Sequence, residues 1–173
     1  MGKITVAMYL TLDGVMEMPS WTSPYWEQEL SDYQEYAMKH ATALLLGRRT
    51  FQEFAVAWPE SPDEGAPFMN GIEKFVPTTT LSEEYWKAHF LKNDIENLIR
   101  ALRDQNNLLV YGSAQLVRYL FAHDLVDEYR EMVFPIILGK GKRLFEGEGK
   151  PLKFSKLESS RTLRNVLLNT YSV

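Results

Sequence analysis

The sequence predicts an α/β fold with a mostly parallel central sheet and antiparallel strands at its C-terminal edge. Three observations carry that prediction. Up to Asp124, short apolar runs alternate with helical patterns, the order that builds parallel sheets. After Asp124 the pattern turns to strands alone, which suits an antiparallel edge. At two places, Leu44-Leu45-Leu46-Gly47-Arg48-Arg49-Thr50 and Leu108-Leu109-Val110-Tyr111-Gly112-Ser113-Ala114, an apolar strand runs through a glycine straight into a helix.

Lys3 to Leu10 is a run of strand formers that ends at the turn pair Asp13-Gly14. Ser23-Pro24 predicts a helix start, with a hydroxyl at the N-cap and proline in the first turn. Trp26, Leu30, Tyr33 and Ala37 then share one helical face. Ala43 to Leu46 is a brief buried strand, and Thr50 with Glu53 makes a capping box for a helix that buries Phe51, Phe54 and Ala55. Trp58 to Gly71, with Pro59, Pro62, Gly65 and Pro67, predicts a surface loop. Lys74 to Thr78 is the next strand. Asn93 with Glu96 repeats the capping pattern ahead of the stripe Ile95, Leu98, Ile99 and Leu102. Leu108 to Tyr111 is a strand, and Leu116, Val117, Leu120 and Phe121 line the buried side of the following helix. Val126 to Ile137 and Leu163 to Tyr171 predict long strands, and Leu152 to Leu157 a shorter one. Gly139, Gly141, Gly147 and Gly149 mark the turns.

The length of 173 residues fits one domain spanning residues 1–173, and 45% apolar residues supply a core. A net charge of −4 argues against a broad nucleic-acid surface. No cysteine is present, which excludes disulfides and thiolate chemistry and fits a reducing compartment. Met1-Gly2-Lys3-Ile4-Thr5-Val6 enters a strand pattern without an apolar signal core, and no stretch reaches spanning length. A cytoplasmic protein that engages neither membrane nor nucleic acid is expected. His40, His89 and His123 lack ligand spacing, so no metal site is expected. His123 sits at a helix C-terminus, where it suits the dipole.

A helix start exposes unpaired N–H groups and the positive end of the macrodipole, which suits phosphate. At Gly47-Arg48-Arg49-Thr50, two guanidinium groups could add a clamp, or they could be solvated residues of an ordinary capped helix. At Gly112-Ser113-Ala114-Gln115, a pyrophosphate could sit on the helix start, or Ser113 could simply be its N-cap. Thr78-Thr79-Thr80 offers hydroxyls at a strand end, though threonine is also an ordinary strand former. Gly139-Lys140-Gly141-Lys142-Arg143 lacks the third glycine of a dinucleotide fingerprint and is read as a turn with a solvated basic face. Trp21 and Trp26 could wall a flat-ring pocket or belong to the core.

The order of these pieces is informative. Leu12-Asp13-Gly14-Val15, then Leu46 to Thr50, then Phe75-Val76-Pro77-Thr78-Thr79-Thr80, then Val110 to Ser113 resembles the dihydrofolate reductase superfamily. The stretch from Leu125-Val126-Asp127-Glu128 through Pro135-Ile136-Ile137-Leu138-Gly139-Lys140-Gly141 is most similar to the reductase domain of the bifunctional riboflavin-biosynthesis enzyme (the RibD C-terminal domain) and its small stand-alone relatives. The resemblance covers nearly the whole chain. It implies a three-layer dihydrofolate-reductase-like fold. It also implies an oxidoreductase that passes a hydride from NADPH to a small conjugated heterocycle, as dihydrofolate reductase and 5-amino-6-(5-phosphoribosylamino)uracil reductase do. The alternative is a non-catalytic nucleotide-binding or regulatory module on the same fold.

Residue by residue, the resemblance places the adenosine side of NADPH on Gly47, Arg48, Arg49 and Thr50, and the 2′-phosphate on Thr78 and Thr79. The pyrophosphate and nicotinamide fall on Gly112, Ser113, Ala114 and Gln115, beside a loop that begins at Asp13 and Gly14. Trp21 and Trp26 fall at the substrate. Two departures stand out. Trp26 fills the slot of an acidic residue that serves pterin protonation, and Tyr111 stands where riboflavin-pathway enzymes tend to be acidic. They leave the proton donor and the substrate unassigned. The apolar C-terminal strands predict a homodimer through an exposed edge.

Overall fold

A computed structural model describes residues 2–147 and 151–173. Eight strands form one sheet: β1 (Ile4–Thr11), β2 (Ala43–Leu45), β3 (Glu73–Pro77), β4 (Ala88–Leu91), β5 (Leu108–Val110), β6 (Glu128–Phe134), β7 (Lys156–Leu163) and β8 (Val166–Ser172). Their order is β4-β3-β2-β5-β1-β6-β8-β7. The first six in that order are parallel, while β8 runs antiparallel to both β6 and β7. The helices are α1 (Gln28–His40), α2 (Arg48–Ala57), α3 (Ala66–Gly71), α4 (Ile95–Gln105) and α5 (Ala114–Ala122).

Alternation along the central strands divides the interior into two layers. Ile4, Val6, Met8 and Leu10 of β1, with Leu108 and Val110 of β5, pack against Ile99 of α4 and Leu116, Val117 and Leu120 of α5. On the other face Ala7, Leu44, Leu46 and Leu109 meet Ala37 of α1, Phe51 of α2 and Met69 of α3. A third cluster, Leu30 with Met132, Phe134, Val166 and Leu168, closes the α1 side over β6 and β8. The result is three layers: helices, sheet, helices. Buried on both faces, β1 reads as a continuous apolar run, as central parallel strands do.

Several element boundaries differ from the sequence expectation. Ser23-Pro24 does not start the first helix. It lies within a 3₁₀ helix, Pro19–Tyr25, and α1 begins after Glu27. Thr50 is not an N-cap: the N-cap of α2 is Gly47, three residues earlier, and Thr50 is a buried residue of the first turn. Asp94, not Asn93, caps α4, with no side-chain cap bond. The Trp58–Gly71 loop contains α3, whose first turn holds Pro67, because proline lacks only an N–H that is unsatisfied there anyway. Strand β4 follows Trp86 and Lys87, both at positive φ, and no alternation announces it. The C-terminal strands are shifted as well. β7 and β8 form a hairpin turning at Arg164 and Asn165, with φ of 49° and 68°, so Leu163 ends one strand and does not begin the next. Gly149 lies outside the described residues.

Candidate functional site

The carboxyl ends of β3, β2, β5 and β1 stand side by side in the sheet. The cofactor residues read from the sequence fall on them in that order: Thr78 and Thr79, then Gly47 to Thr50, then Gly112 to Gln115, then Asp13 and Gly14. With strands about 4.8 Å apart, this row spans about 14 Å. From β1 the chain leaves through α1 on one face; from β5 it leaves through α5 on the other. This is a topological switch point, where open α/β sheets bind ligands.

The two glycine junctions touch. The Gly47 N–H donates to the Gly112 carbonyl at 2.9 Å. A Cβ on Gly47 would lie 2.7 Å from the Ser113 backbone nitrogen and would also strike the Ser113 hydroxyl. Gly112, at φ 126°, leads through a cis peptide bond into Ser113. A Cβ there would meet the Thr50 hydroxyl at 3.1 Å and the Met16 methyl at 3.6 Å. Gly47 and Ser113 are the N-caps of α2 and α5, and neither helix has a side-chain cap bond. Two sets of first-turn N–H groups therefore open onto the same edge, with both dipoles adding positive potential.

Arg48, half-buried, donates to Gln52 at 3.0 Å, and Arg49 is exposed. Among the described residues neither pairs with a carboxylate, so both charges are available to an anion. Ala114 is buried and Gln115 exposed on the α5 side.

Thr78 and Asp13 hold the backbone around this edge. The Thr78 hydroxyl is buried and accepts from the N–H groups of Thr80 and Leu81 at 3.2 and 3.3 Å, while Thr79 is exposed. Asp13 accepts from the Thr11 hydroxyl at 2.6 Å and from the N–H groups of Leu138 and Gly139. Those bonds, the Thr11 bond foremost, lower its carboxyl to about 2. Arg143 donates to the Asp13 carbonyl at 2.8 Å and reaches its carboxylate at 3.4 Å. Arg143 is thus not part of a solvated basic face. It ties the Gly139–Arg143 turn to the loop after β1, and that loop brings Met16 against Gly112.

Trp21 and Trp26 join an aromatic cluster over the ends of β1 and β6. Trp21 meets Phe134 edge-on at 5.5 Å and Trp26 meets Tyr9 at 5.6 Å. Both indole N–H groups are satisfied, by the Glu17 carbonyl and the Thr22 hydroxyl. The α1 side of β1 and β5 carries phenols, Tyr9 and Tyr111. Burial, then Tyr111 and Asp63, hold Tyr9 well above its usual range, and burial raises Tyr111 against the opposing charge of Arg130. The sequence reading missed Tyr9 and did not make Tyr111 a site residue. Period-two alternation held the signal: Ala7, Tyr9 and Tyr111 all fall on the α1 side.

These features fit a phosphate-bearing coenzyme: two uncapped helix starts, two arginines, and glycines whose Cβ positions are closed by neighbours. Among the described residues, no cluster of three or more metal-ligating side chains occurs, and no helix is long and apolar enough to cross a membrane.

Residues 2–168 match the family of the RibD C-terminal domain. The protein YyaP of Bacillus subtilis (strain 168) is 25% identical over 154 residues, which are 83% of this chain and 80% of YyaP. The crystal structure of a Shewanella sp. PV-4 protein named for riboflavin biosynthesis superposes with a TM-score of 0.77 at 20% identity, covering 98% of both chains. A dihydrofolate reductase from Enterococcus faecalis, complexed with NADP(H), superposes with a TM-score of 0.63 at 15% identity, covering 99% of this chain and 96% of that one. The three-layer architecture is therefore dihydrofolate-reductase-like.

Proposed function

The chain belongs to the RibD C-terminal domain family, and from that premise we propose that it is an NADPH-dependent reductase of a small conjugated heterocycle. The observation that carries this reading is the pair of uncapped helix starts joined by the Gly47–Gly112 hydrogen bond, with Arg48 and Arg49 beside them. When bound, NADPH supplies a hydride. The chain's own residues do the rest. The first-turn N–H groups of α5 hold the pyrophosphate, and Gly112 admits the nicotinamide half close to the backbone. Arg48, Arg49 and Thr79 take the 2′-phosphate, while Thr78 fixes the turn that presents Thr79. Asp13 and Arg143 hold the loop that carries Met16 to Gly112. The substrate ring lies against the aromatic cluster of Trp21 and Trp26, which excludes water. In this reading the protein works in the reducing cytoplasm as a homodimer.

A thermal-shift comparison of NADPH with NADH tests the coenzyme assignment, because a ligand that binds the folded state raises its melting temperature. NADPH is expected to stabilise more. Charged hydrogen bonds are worth roughly 1.5–3 kcal/mol each, so Arg48→Ala should weaken NADPH about 10–100-fold and NADH far less. Equal affinity of the wild type for both coenzymes would remove the arginines from this role. The missing carboxylate at Trp26 favours the second reading, a nucleotide-binding module without turnover. Stopped-flow oxidation of bound NADPH by pterins, aminouracils, quinones or nitroaromatics separates the two: any turnover rejects the inert module.

A further inference from the structure

One buried polar group lacks a partner at the edge where the glycine junctions meet. The Tyr111 hydroxyl is buried and, among the described residues, makes no hydrogen bond. An unpaired buried hydroxyl costs stability, so each one that a fold retains calls for a reason. Tyr111 immediately precedes Gly112, and its ring lies 6.4 Å from that of Phe54 in α2. The register that pairs Val6 with Val110 sets it beside Ala7 of β1, and Tyr9, two residues further on, shares that face. Trp26 and Phe134 meet the Tyr9 ring edge-on at 5.6 and 6.1 Å and fix its place. Both tyrosines are partly exposed, at the carboxyl edge of the sheet.

The surroundings of the two phenols say what they can bind. Burial keeps both protonated, so each stays a hydrogen-bond donor and neither is an acid that releases its proton readily. Two charges bear on them. Arg130 favours negative charge at Tyr111, and Asp63 opposes it at Tyr9. Arg130 is buried and Asp63 is exposed, so water screens the carboxylate more than the guanidinium. The field at the pair therefore tolerates a developing oxyanion. The indole N–H groups of Trp21 and Trp26 are already satisfied, which leaves only their ring surfaces to a ligand.

We propose that Tyr9 and Tyr111 form a donor pair for a carbonyl oxygen of the substrate and hold the charge that gathers on it as the hydride arrives. Two converging donors match an oxygen, which has two lone pairs; a ring nitrogen has one. This role rests on the reductase reading and deepens it. The substrate is a neutral flat ring whose carbonyl is conjugated with the carbon that accepts hydride. That carbon gains a C–H bond with the electron pair of the coenzyme's hydride, and the displaced π pair moves onto the carbonyl oxygen. The phenols hold the oxyanion until solvent water returns a proton, and the coenzyme leaves oxidised. Tyr111 thus keeps an unpaired hydroxyl at the expense of stability because its partner is the ligand.

The test uses the full chain without coenzyme and 4-nitrophenol, a flat ring whose anion mimics the oxyanion and absorbs differently from the neutral form. The control is 4-nitroanisole, which cannot ionise. At a pH below the solution pKa of 4-nitrophenol, the wild type should bind it and raise its ionised fraction, and should bind 4-nitroanisole at least about 10-fold more weakly. Tyr9→Phe and Tyr111→Phe should each weaken 4-nitrophenol about 10-fold or more. Tyr111→Phe should also melt about 2–4 °C above the wild type, since it deletes a buried group without a partner. If Tyr111→Phe does not fold, Tyr9→Phe carries the same comparison. The proposal is overturned by absence of binding, by bound 4-nitrophenol that stays neutral, by equal affinity for the two probes, by phenylalanine variants that bind as the wild type does, or by a folded Tyr111→Phe that melts lower. NADPH is titrated separately into the wild type. If it fails to bind while 4-nitrophenol binds as its anion, the reductase reading falls and the donor pair stands; if NADPH binds and 4-nitrophenol does not, the reverse holds.

Discussion

At Gly47 a single hydrogen atom in place of a methyl lets two helix starts meet at one edge of the sheet. The Gly47 N–H reaches the Gly112 carbonyl only because nothing projects from its Cα toward Ser113, where a Cβ would sit 2.7 Å from a backbone nitrogen that cannot rotate away. Gly47→Ala should therefore force the junctions apart. Overpacking of this kind costs about 1–3 kcal/mol, read as a lower urea midpoint. The same variant should lose NADPH affinity, since the N–H groups of α2 and α5 would no longer aim at one ligand. Unchanged stability with unchanged binding would show that the contact between the junctions does not matter. Gly47 and Gly112 were legible in the sequence because a glycine between strand and helix has few other reasons to be there. Asp13 was legible as a position but not as a role: the sequence gives no sign that its carboxylate is consumed by Thr11, Leu138 and Gly139, partners up to 126 residues away.

Among the elements, β3 carries a similar oddity in Lys74. Its side chain is fully buried, with Nζ donating to the Ile72 carbonyl at 2.7 Å and lying 4.1 Å from the Trp86 ring. Burial lowers it to about 8, with Glu73 opposing and Lys87 adding to the effect. The unfolded chain holds that proton up to its ordinary value near 10.4, so between pH 8 and 10 it binds more protons than the folded one. Stability should thus rise with pH across that window, by about 3 kcal/mol at most, until ionisation of tyrosines in the unfolded chain opposes it. Tyr9, Tyr111 and Tyr129 are all raised by burial, which places that opposing loss above about pH 10. Lys74→Met should flatten the rise in urea unfolding from pH 7 to 10 and be no less stable at pH 7. A wild type with no rise would refute the assignment. The same strand shows why sequence reading places elements better than their ends. β1, β2, β3 and β5 announce themselves through apolar runs bounded by glycine or hydroxyl residues. β4 is four residues behind a positive-φ turn, and β7 is Lys-Leu-Glu-Ser-Ser-Arg-Thr-Leu, exposed on both faces except at its end, so no burial imprints a period on it. The capping boxes at Thr50 and Asn93 misled because neither helix start uses a side-chain cap: α2 begins from Gly47 and α4 from Asp94.

For the molecule as a whole, the sheet is finished on one side and open on the other. β4 is short, and Glu84 of the preceding loop accepts from its Phe90 N–H at 2.9 Å. β7 is eight residues long and, among the described residues, pairs only with β8, which makes it an edge strand. Leu157 and Leu167 add exposed apolar surface beside it, at 51% and 39%. An edge this long invites pairing, and β7 can pair with its own copy: an antiparallel two-fold between Ser159 and Ser160 sets Glu158 of each chain opposite Arg161 of the other. We propose that this edge forms the homodimer, a sixteen-stranded sheet that leaves both proposed coenzyme edges open, since they lie at the ends of β3, β2, β5 and β1 and not at β7. Light scattering should then give twice the 20.1 kDa chain mass. Glu158→Arg, which places like charges across the two-fold, should yield monomers, and adding Arg161→Glu should restore the dimer. A wild type that scatters as a monomer sinks the proposal, and so does a dimer indifferent to Glu158→Arg, which would move the interface to another face. Because the proposed coenzyme row and the proposed dimer edge share no strand, the monomeric variant should still bind NADPH with wild-type affinity in a calorimetric titration.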